Sequence, residues 1–533
     1  MQKKPAPLAE PALSPGLRRY LYFTAMLNGA AILVVEILGA KMLSPYVGTS
    51  HFVWTAQIGV TLVSLAAGYW FGGWLVDRSS KLGRLYSCIL LAAVYLSLTV
   101  VICEPVAFGG LKFSLATGAL FASAVLFFVP LTLLATTGPF LVRVLTQSVD
   151  VVGGQVGRLS ALSTLGSVAG TVLIGYVLIP FLPNAQTMFI TAAVLLAVAG
   201  GWFFGWGRKS GNPAGAAAGI VFALLLGWAG VTQDARAEFS AGRQLYRANS
   251  NFGQLQVIER RSDGVRVYLN DYLTQNGYDP RTKQSVHLFT YMLHGLARAY
   301  TERSDDVLCI GLGVGIAPMQ FAREGARVDA VEINPAVVVL AEKFFDLEPA
   351  KLNITIGDGR AFLNTATRTY DAVVLDAFLG DSTPAHLMSR EAFEAMRRVL
   401  KPGGALVMNS FGDLTAGNDF MAASLHKTLK AVFKSVRIHA DGWGNCFFVA
   451  SDRPELAFQR QPEFELVHPA LLARVRDTYL AIRETNPGRG IVLTDDFNPV
   501  EFHDAKGRER MRRSLASDMR RVKAERRTDD NKR

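Results

Sequence analysis

Long unbroken apolar stretches fill the first part of the chain, and short alternating or glycine-punctuated ones fill the rest. Seven runs lie between Arg19 and about Val231, from "YLYFTAMLNGAAILVVEILGA" to "AGAAAGIVFALLLGWAGV". Each approaches the roughly 20 residues that a helix needs to cross a ~30 Å hydrocarbon core. They predict a polytopic α-helical membrane domain over residues 18–232 with about seven spans, behind a polar, Pro-rich stretch, 1–17, read as a disordered tail. A cleaved leader accounts for one such run, not seven.

From Ser250 the pattern becomes that of a soluble protein. "QLQVIER", "GVRVYLN" and "DYLTQNG" alternate and turn like a small antiparallel sheet, followed by a helix from Lys283 to Tyr300. This gives a small β-rich subdomain over 233–300. Over 301–455 strands and helices then take turns: "DVLCIGLG", a helix from Pro318, "RVDAVEIN", a helix over Val337–Phe345, "ITIGDG", "YDAVVLDAF", a helix over Arg390–Leu400, "GALVMNS", a helix near Phe420–Phe433, "VRIHAD" and "CFFVAS". Such alternation predicts a mostly parallel, Rossmann-like sheet of the methyltransferase type, covered on both faces. Residues 456–533 form a C-terminal extension with a basic tail.

Half of the 533 residues are hydrophobic, and 55 Lys and Arg against 44 Asp and Glu leave a net charge of +11. The basic tail "RERMRRSLASDMRRVKAERRTDDNKR" points to anionic lipid rather than nucleic acid, which is not expected as a partner. Four scattered cysteines (Cys88, Cys103, Cys309, Cys446) form no CxxC or Cys/His cluster, so no metal is expected. In the membrane part, Glu36 is an intramembrane carboxylate, and Gly166-x3-Gly170 reads as close helix packing.

Basic residues mark alternate links: Arg18/Arg19, Arg78/Lys81/Arg84, Arg143 with Arg158, and Arg208/Lys209. By the positive-inside bias these lie in the cytoplasm. "GWLVDRSSKLGR" also resembles the cytoplasmic loop motif of major-facilitator transporters. Seven crossings would then leave the C-terminal half outside. The seventh run is short and flanked by basic residues, so it reads as a candidate interfacial or re-entrant segment; alternatively, Pro130–Pro139 hides a further crossing.

Ligands of such sheets bind beyond the carboxyl ends of the strands. The first strand ends in Gly311-x-Gly313-x-Gly315, whose spacing is not GxGxxG and so disfavours a dinucleotide. Glu332, 17 residues past Gly315, is set to accept both ribose hydroxyls. Asp358-Gly359 is set to meet an exocyclic amine such as that of adenine. Together these describe an adenosyl group better than a pyrophosphate. Asp376, at the end of "VVLD", can bind a cationic amine and take its proton. An alkyl amine has a pKa near ~10.4, so freeing its lone pair at neutral pH costs about 4–5 kcal/mol.

At these residues the chain resembles the spermidine synthase (polyamine aminopropyltransferase) family, through "IGLGVG", "VEIN", "GDGRAF", "YDAVVLDAF" and "KPGG" in that order, over roughly Ser250 to Ser451. The apolar front and "LTDDFNPVE" are similar to its membrane-fused branch. The resemblance implies transfer of an aminopropyl group from decarboxylated S-adenosylmethionine to a polyamine such as putrescine, releasing 5'-methylthioadenosine. It also implies Glu332 on the ribose, Asp358 and Gly359 on the adenine, Pro384 lining the adenosyl pocket, and Asp376 as proton acceptor.

Three departures fall on the amine side: Val314 stands where the family has an aspartate, "LFTYMLH" replaces its Tyr-His-Glu stretch, and Gly253 stands where a glutamine is expected, with Gln254 beside it. Asp381, Asp495 and Asp496 are candidate substitutes for the missing carboxylates. The alternatives are an adenosyl-binding membrane transporter or sensor without catalysis, and an S-adenosylmethionine-dependent methyltransferase. Soluble relatives imply a homo-oligomer. Because sulfonium nucleosides are made in the cytosol, the expectation is a multi-pass inner (cell) membrane protein with a cytoplasmic soluble half and one miscounted run.

Overall fold

The computed structural model describes residues 13–48, 50–146, 152–208, 212–236, 242–378, 384–415, 417–440, 443–486, 488–503, 509–510 and 512–513. The chain divides into two compact units: Met1–Leu43, Trp54–Gly110 and Ala119–Arg236 make the first, and Ser44–Val53, Leu111–Gly118 and Ala237–Arg533 the second.

In the first unit, seven helical stretches among the described residues are long and apolar enough to cross a bilayer. The fourth, Leu115–Leu145, is interrupted, with a π-turn at Ala124–Phe128 and a break at Thr136. The cause is local: Pro130 has no N–H to give to the carbonyl four residues back. That carbonyl, of Leu126, instead accepts from the Thr99 hydroxyl at 3.1 Å. Pro130–Pro139 therefore lies within one interrupted helical stretch.

Gly166 and Gly170 pack as their spacing predicts. A Cβ on them would lie 1.9 Å from the Met26 carbonyl oxygen and 2.6 Å from that of Ala30, so only glycine lets the two backbones meet. The seventh run is a helix, Pro213–Arg236, lying along the third, Leu82–Gly110. Gly219 faces Leu90 and Gly230 faces Val100, so the two helices ascend together. Against the sixth, Asn184–Gly205, it runs the opposite way, with Ile220 at Gly200 and Gly227 at Phe189.

The second unit opens with a five-stranded antiparallel meander: β1 Gly242–Ser250, β2 Gly253–Arg260, β3 Arg266–Asn270, β4 Leu273–Asp279 and β5 Gln284–Ser285. A helix, Leu288–Tyr300, leads into an eight-stranded sheet. Its strands are β6 Asp306–Ile310, β7 Arg327–Glu332, β8 Asn353–Ile356, β9 Tyr370–Leu375, β10 Leu400–Asp413, β11 Ser435–Ala440, β12 Trp443–Ser451 and β13 Ile482–Arg483, in the order β13-β11-β12-β10-β9-β6-β7-β8. The pairs from β10 to β8 are parallel, and those of β11, β12 and β13 antiparallel.

The central strands are apolar at successive positions because both faces are buried. Val307, Cys309, Ala372 and Val374 pack into one layer, and Leu308, Ile310, Val373 and Leu375 into the other. The C-terminal extension contributes a helix, Leu472–Leu480, and the edge strand β13.

Candidate functional site

The loop after β6 turns on glycines with left-handed backbone, φ 93° at Gly311, 53° at Gly313 and 81° at Gly315, a region that side chains resist. At Gly311 there is a second reason, since a Cβ would sit 2.2 Å from the Asp376 carbonyl oxygen. Over Gly313 nothing lies within 4 Å of where a Cβ would be, so the loop has an open face. Gly315 directly precedes the helix Ile316–Arg323.

At the end of β7, Glu332 is 8 % exposed. Its carboxylate accepts the backbone N–H of Leu312 at 3.2 Å and of Asn334 at 2.9 Å. Burial raises its pKa above the ordinary carboxylate value, while these amides pull the other way. The glycine loop and the acid are thus joined through the Leu312 amide. Asp358 caps the helix Gly359–Thr365 by accepting from Ala361 N–H at 2.9 Å, and its second oxygen lies 2.8 Å from His386 Nε2. Burial works to raise its pKa, but the Ala361 amide and His386 bring it below the usual range.

Asp376 follows β9 directly. Its Oδ1 accepts from Asn409 Nδ2 of β10 at 2.9 Å, and Asn409 Oδ1 accepts from Asn445 Nδ2 of β12 at 2.8 Å. Two amides in series therefore fix the carboxylate. Desolvation pushes the Asp376 pKa up to about 6, against the lowering effect of Asn409. A reaction that needs this group ionised should lose rate below pH about 6. Asn409→Ala removes the opposing donor and should move that limb up by about one pH unit, equivalent to ~1.4 kcal/mol. The check is the pH profile of kcat/KM; an unmoved limb would mean that Asn409 does not tune Asp376.

Gly311, Gly313, Glu332, Asp358, Gly359, Asp376 and Pro384 line one cleft. Gly315 does not line it; it serves the turn into the helix. Asp381 lies outside the described residues. Asp495 and Asp496 are exposed and absent from the cleft wall. Asp495 is paired with Arg360 at 2.9 Å and bonded by the Ser389 hydroxyl. His294, in the divergent "LFTYMLH", pairs with Glu324 at 2.9 Å and also stays out of the cleft. Val314 is 1 % exposed within the core, where a carboxylate would be unpaired.

Sequence reading missed Asn409, Asn445 and His287, which also line the cleft. The asparagine pair had one visible signal, polar residues in the otherwise apolar runs of "GALVMNS" and "GNCFFVAS". His287 is held neutral by burial, its pKa lowered to about 4. Phe378 and Phe411, 5.0 Å apart, add an aromatic wall. Among the described residues no three His, Cys, Asp or Glu gather as a metal site.

A parallel sheet with a glycine turn after its first strand, and acids at the following strand ends, is the Rossmann-like arrangement in which ligands bind beyond the carboxyl ends of the strands. Residues 286–440 match the family model of the spermine/spermidine synthase domain. Polyamine aminopropyltransferase of Vibrio vulnificus (strain CMCP6) is 34 % identical over 155 residues, 28 % of this chain and 50 % of the relative. An N-terminal histidine N-methyltransferase of Emericella nidulans is 28 % identical over 215 residues, 36 % of this chain and 38 % of the relative. Putrescine N-methyltransferase 2 of Nicotiana attenuata is 29 % identical over 172 residues, 30 % of this chain and 44 % of the relative. The chain thus spans half or less of the length of these curated relatives.

Proposed function

We propose that the second unit transfers the aminopropyl group of decarboxylated S-adenosylmethionine to a polyamine such as putrescine, releasing 5'-methylthioadenosine. The observation that carries this reading is Asp376, accepting a hydrogen bond from the Asn409 amide, in the same cleft as Glu332 and Asp358. Glu332 takes the ribose hydroxyls, Asp358 and Gly359 meet the adenine, and Pro384 lines the nucleoside pocket. The acceptor amine gives its proton to Asp376, and the freed lone pair attacks the carbon bonded to the sulfonium. The C–S pair then returns to sulfur as a neutral thioether. Sulfur is already a good leaving group, so positioning supplies most of the rate.

A methyltransferase using intact S-adenosylmethionine is the second reading, favoured by two similar proteins that carry methyltransferase names. Purified full chain supplied with each sulfonium and a diamine separates the two. The proposal expects methylthioadenosine from the decarboxylated donor; S-adenosylhomocysteine from the intact one would favour methyl transfer. Adenosyl binding with no product from either would leave the binding-only transporter or sensor.

The membrane assignment rests on seven apolar helices. Cosubstrate supply led to the expectation of a cytoplasmic soluble half with one run miscounted. The seventh helix, aligned with the third, supports seven crossings instead. With the links carrying Arg78, Lys81, Arg143, Arg158 and Arg208 inside, we infer that the second unit faces outward. The sulfonium donor must then be delivered to that face. A reporter fused after Lys532 should be active only outside the cytoplasm; activity only inside would overturn this orientation.

A further inference from the structure

Across the large sheet the cleft has a direction. Asp358 follows β8, Glu332 ends β7, and Asp376 follows β9 on the other side of β6. Beyond Asp376 the sheet continues into β10 and β12, and there the wall is Asn409, Phe411 and Asn445. The helix Leu288–Tyr300 packs on β9, β10 and β12, and its N-terminal end brings His287, Phe289 and Thr290 into the same cleft. Among the described residues, Asp376 is therefore the last carboxylate on this path. Asp413, the next acid along β10, is not in the wall; it pairs with Arg510 at 2.6 Å and accepts from the Thr415 N–H at 2.9 Å.

What this end offers is neutral hydrogen bonding. Burial and the Arg260 guanidinium lower the His287 pKa to about 4, so its imidazole is uncharged at neutral pH. Gly277 makes room for the ring, since a Cβ there would come within 2.9 Å of Nε2. The His287 backbone N–H is spent on the Ser285 hydroxyl at 3.0 Å, but no described residue bonds either ring nitrogen. A neutral imidazole has one donor and one acceptor, the complement of an amide's carbonyl and N–H.

A free diamine brings two ammonium groups at neutral pH. The first meets Asp376. The second would exchange water for amides, phenyl rings and an uncharged imidazole. The charge next to that imidazole is the Arg260 cation, whose own carboxylate is Asp263 at 2.6 Å. A charge that loses hydration without gaining an opposite partner is destabilised. An amide in its place has no charge to desolvate.

We propose that the preferred acceptor is a polyamine with one free amine for Asp376 and an uncharged, amide-type far nitrogen for His287, as an N-acylated diamine presents. This rests on the aminopropyl-transfer reading and narrows its acceptor, with putrescine the poorer substrate.

The test compares N-acetylputrescine with putrescine on the purified full chain. Affinity is read by calorimetry with methylthioadenosine bound, and kcat/KM with the decarboxylated donor. N-acetylputrescine should be favoured by roughly tenfold or more in both. His287→Phe should shrink that preference, and His287→Asp, which supplies a carboxylate at the far end, should reverse it. Methylthioadenosine affinity checks that each variant remains folded. Equal or better use of putrescine by the wild type would overturn the proposal and leave aminopropyl transfer standing. A putrescine preference that disappears in Asp381→Asn would overturn it too, by placing a second carboxylate there. No product from either amine, with the nucleoside bound, would overturn the transfer reading and this proposal with it.

Discussion

Asp376→Asn is expected to slow transfer by about two to four orders of magnitude while methylthioadenosine still binds. The substitution is nearly isosteric, and the new amide oxygen can still accept from Asn409, as the carboxylate now does at 2.9 Å. What disappears is a negative charge beside the amine and a place for its proton. The acceptor otherwise stays an ammonium, whose deprotonation at neutral pH costs about 4–5 kcal/mol. Rates with the decarboxylated donor, together with calorimetric affinity for methylthioadenosine, provide the check. If the variant retains near-normal turnover, Asp376 is not the proton acceptor. If it loses nucleoside affinity as well, the carboxylate belongs to the nucleoside end of the cleft rather than to the amine.

Glu332→Gln should act the other way, on affinity. The present carboxylate accepts from the amides of Leu312 and Asn334 and faces the cleft. A glutamine can satisfy only one of those amides with its oxygen and turns an N–H2 group toward the other. It also offers one acceptor fewer to the ribose. A charge-assisted hydrogen bond is worth about 1.5–3 kcal/mol, so methylthioadenosine should bind roughly 10- to 100-fold more weakly. The turnover rate at saturation should change much less than the affinity. Unchanged affinity would remove Glu332 from the ribose contact.

The parallel strands that carry the cleft were legible because they are runs ending at a glycine or an acid, as at Ile310–Gly311 and Val331–Glu332, whereas the two-residue edge strand β13 was not. The strand-end rule points to Glu332, Asp358 and Asp376 from the sequence, and all three line one cleft. β1 was not legible. "GRQLYRANS" is polar and only half-buried, so it carries no alternation to read; its pairing with β2 makes it a strand. Asn409 and Asn445 escaped for a different reason: their role depends on β10 and β12 being neighbours, and cross-strand register is not written in either segment alone. Asp495 poses the same difficulty. Its acidity is visible in sequence, but its partner Arg360 comes from a distant helix. The seventh apolar run was ambiguous on length and flanking charge, and only its glycine faces against Leu90 and Val100 show which way it runs.

The central claim is that acids at successive strand ends hold sugar, base and incoming amine in sequence. A structure of the protein crystallised with methylthioadenosine tests it most directly. The account predicts ribose hydroxyls on Glu332, the adenine amine at Asp358, and the thioether sulfur beside Asp376, with the Asn409 bond intact. A nucleoside bound elsewhere, or one bound there with its sulfur turned away from Asp376, would contradict it.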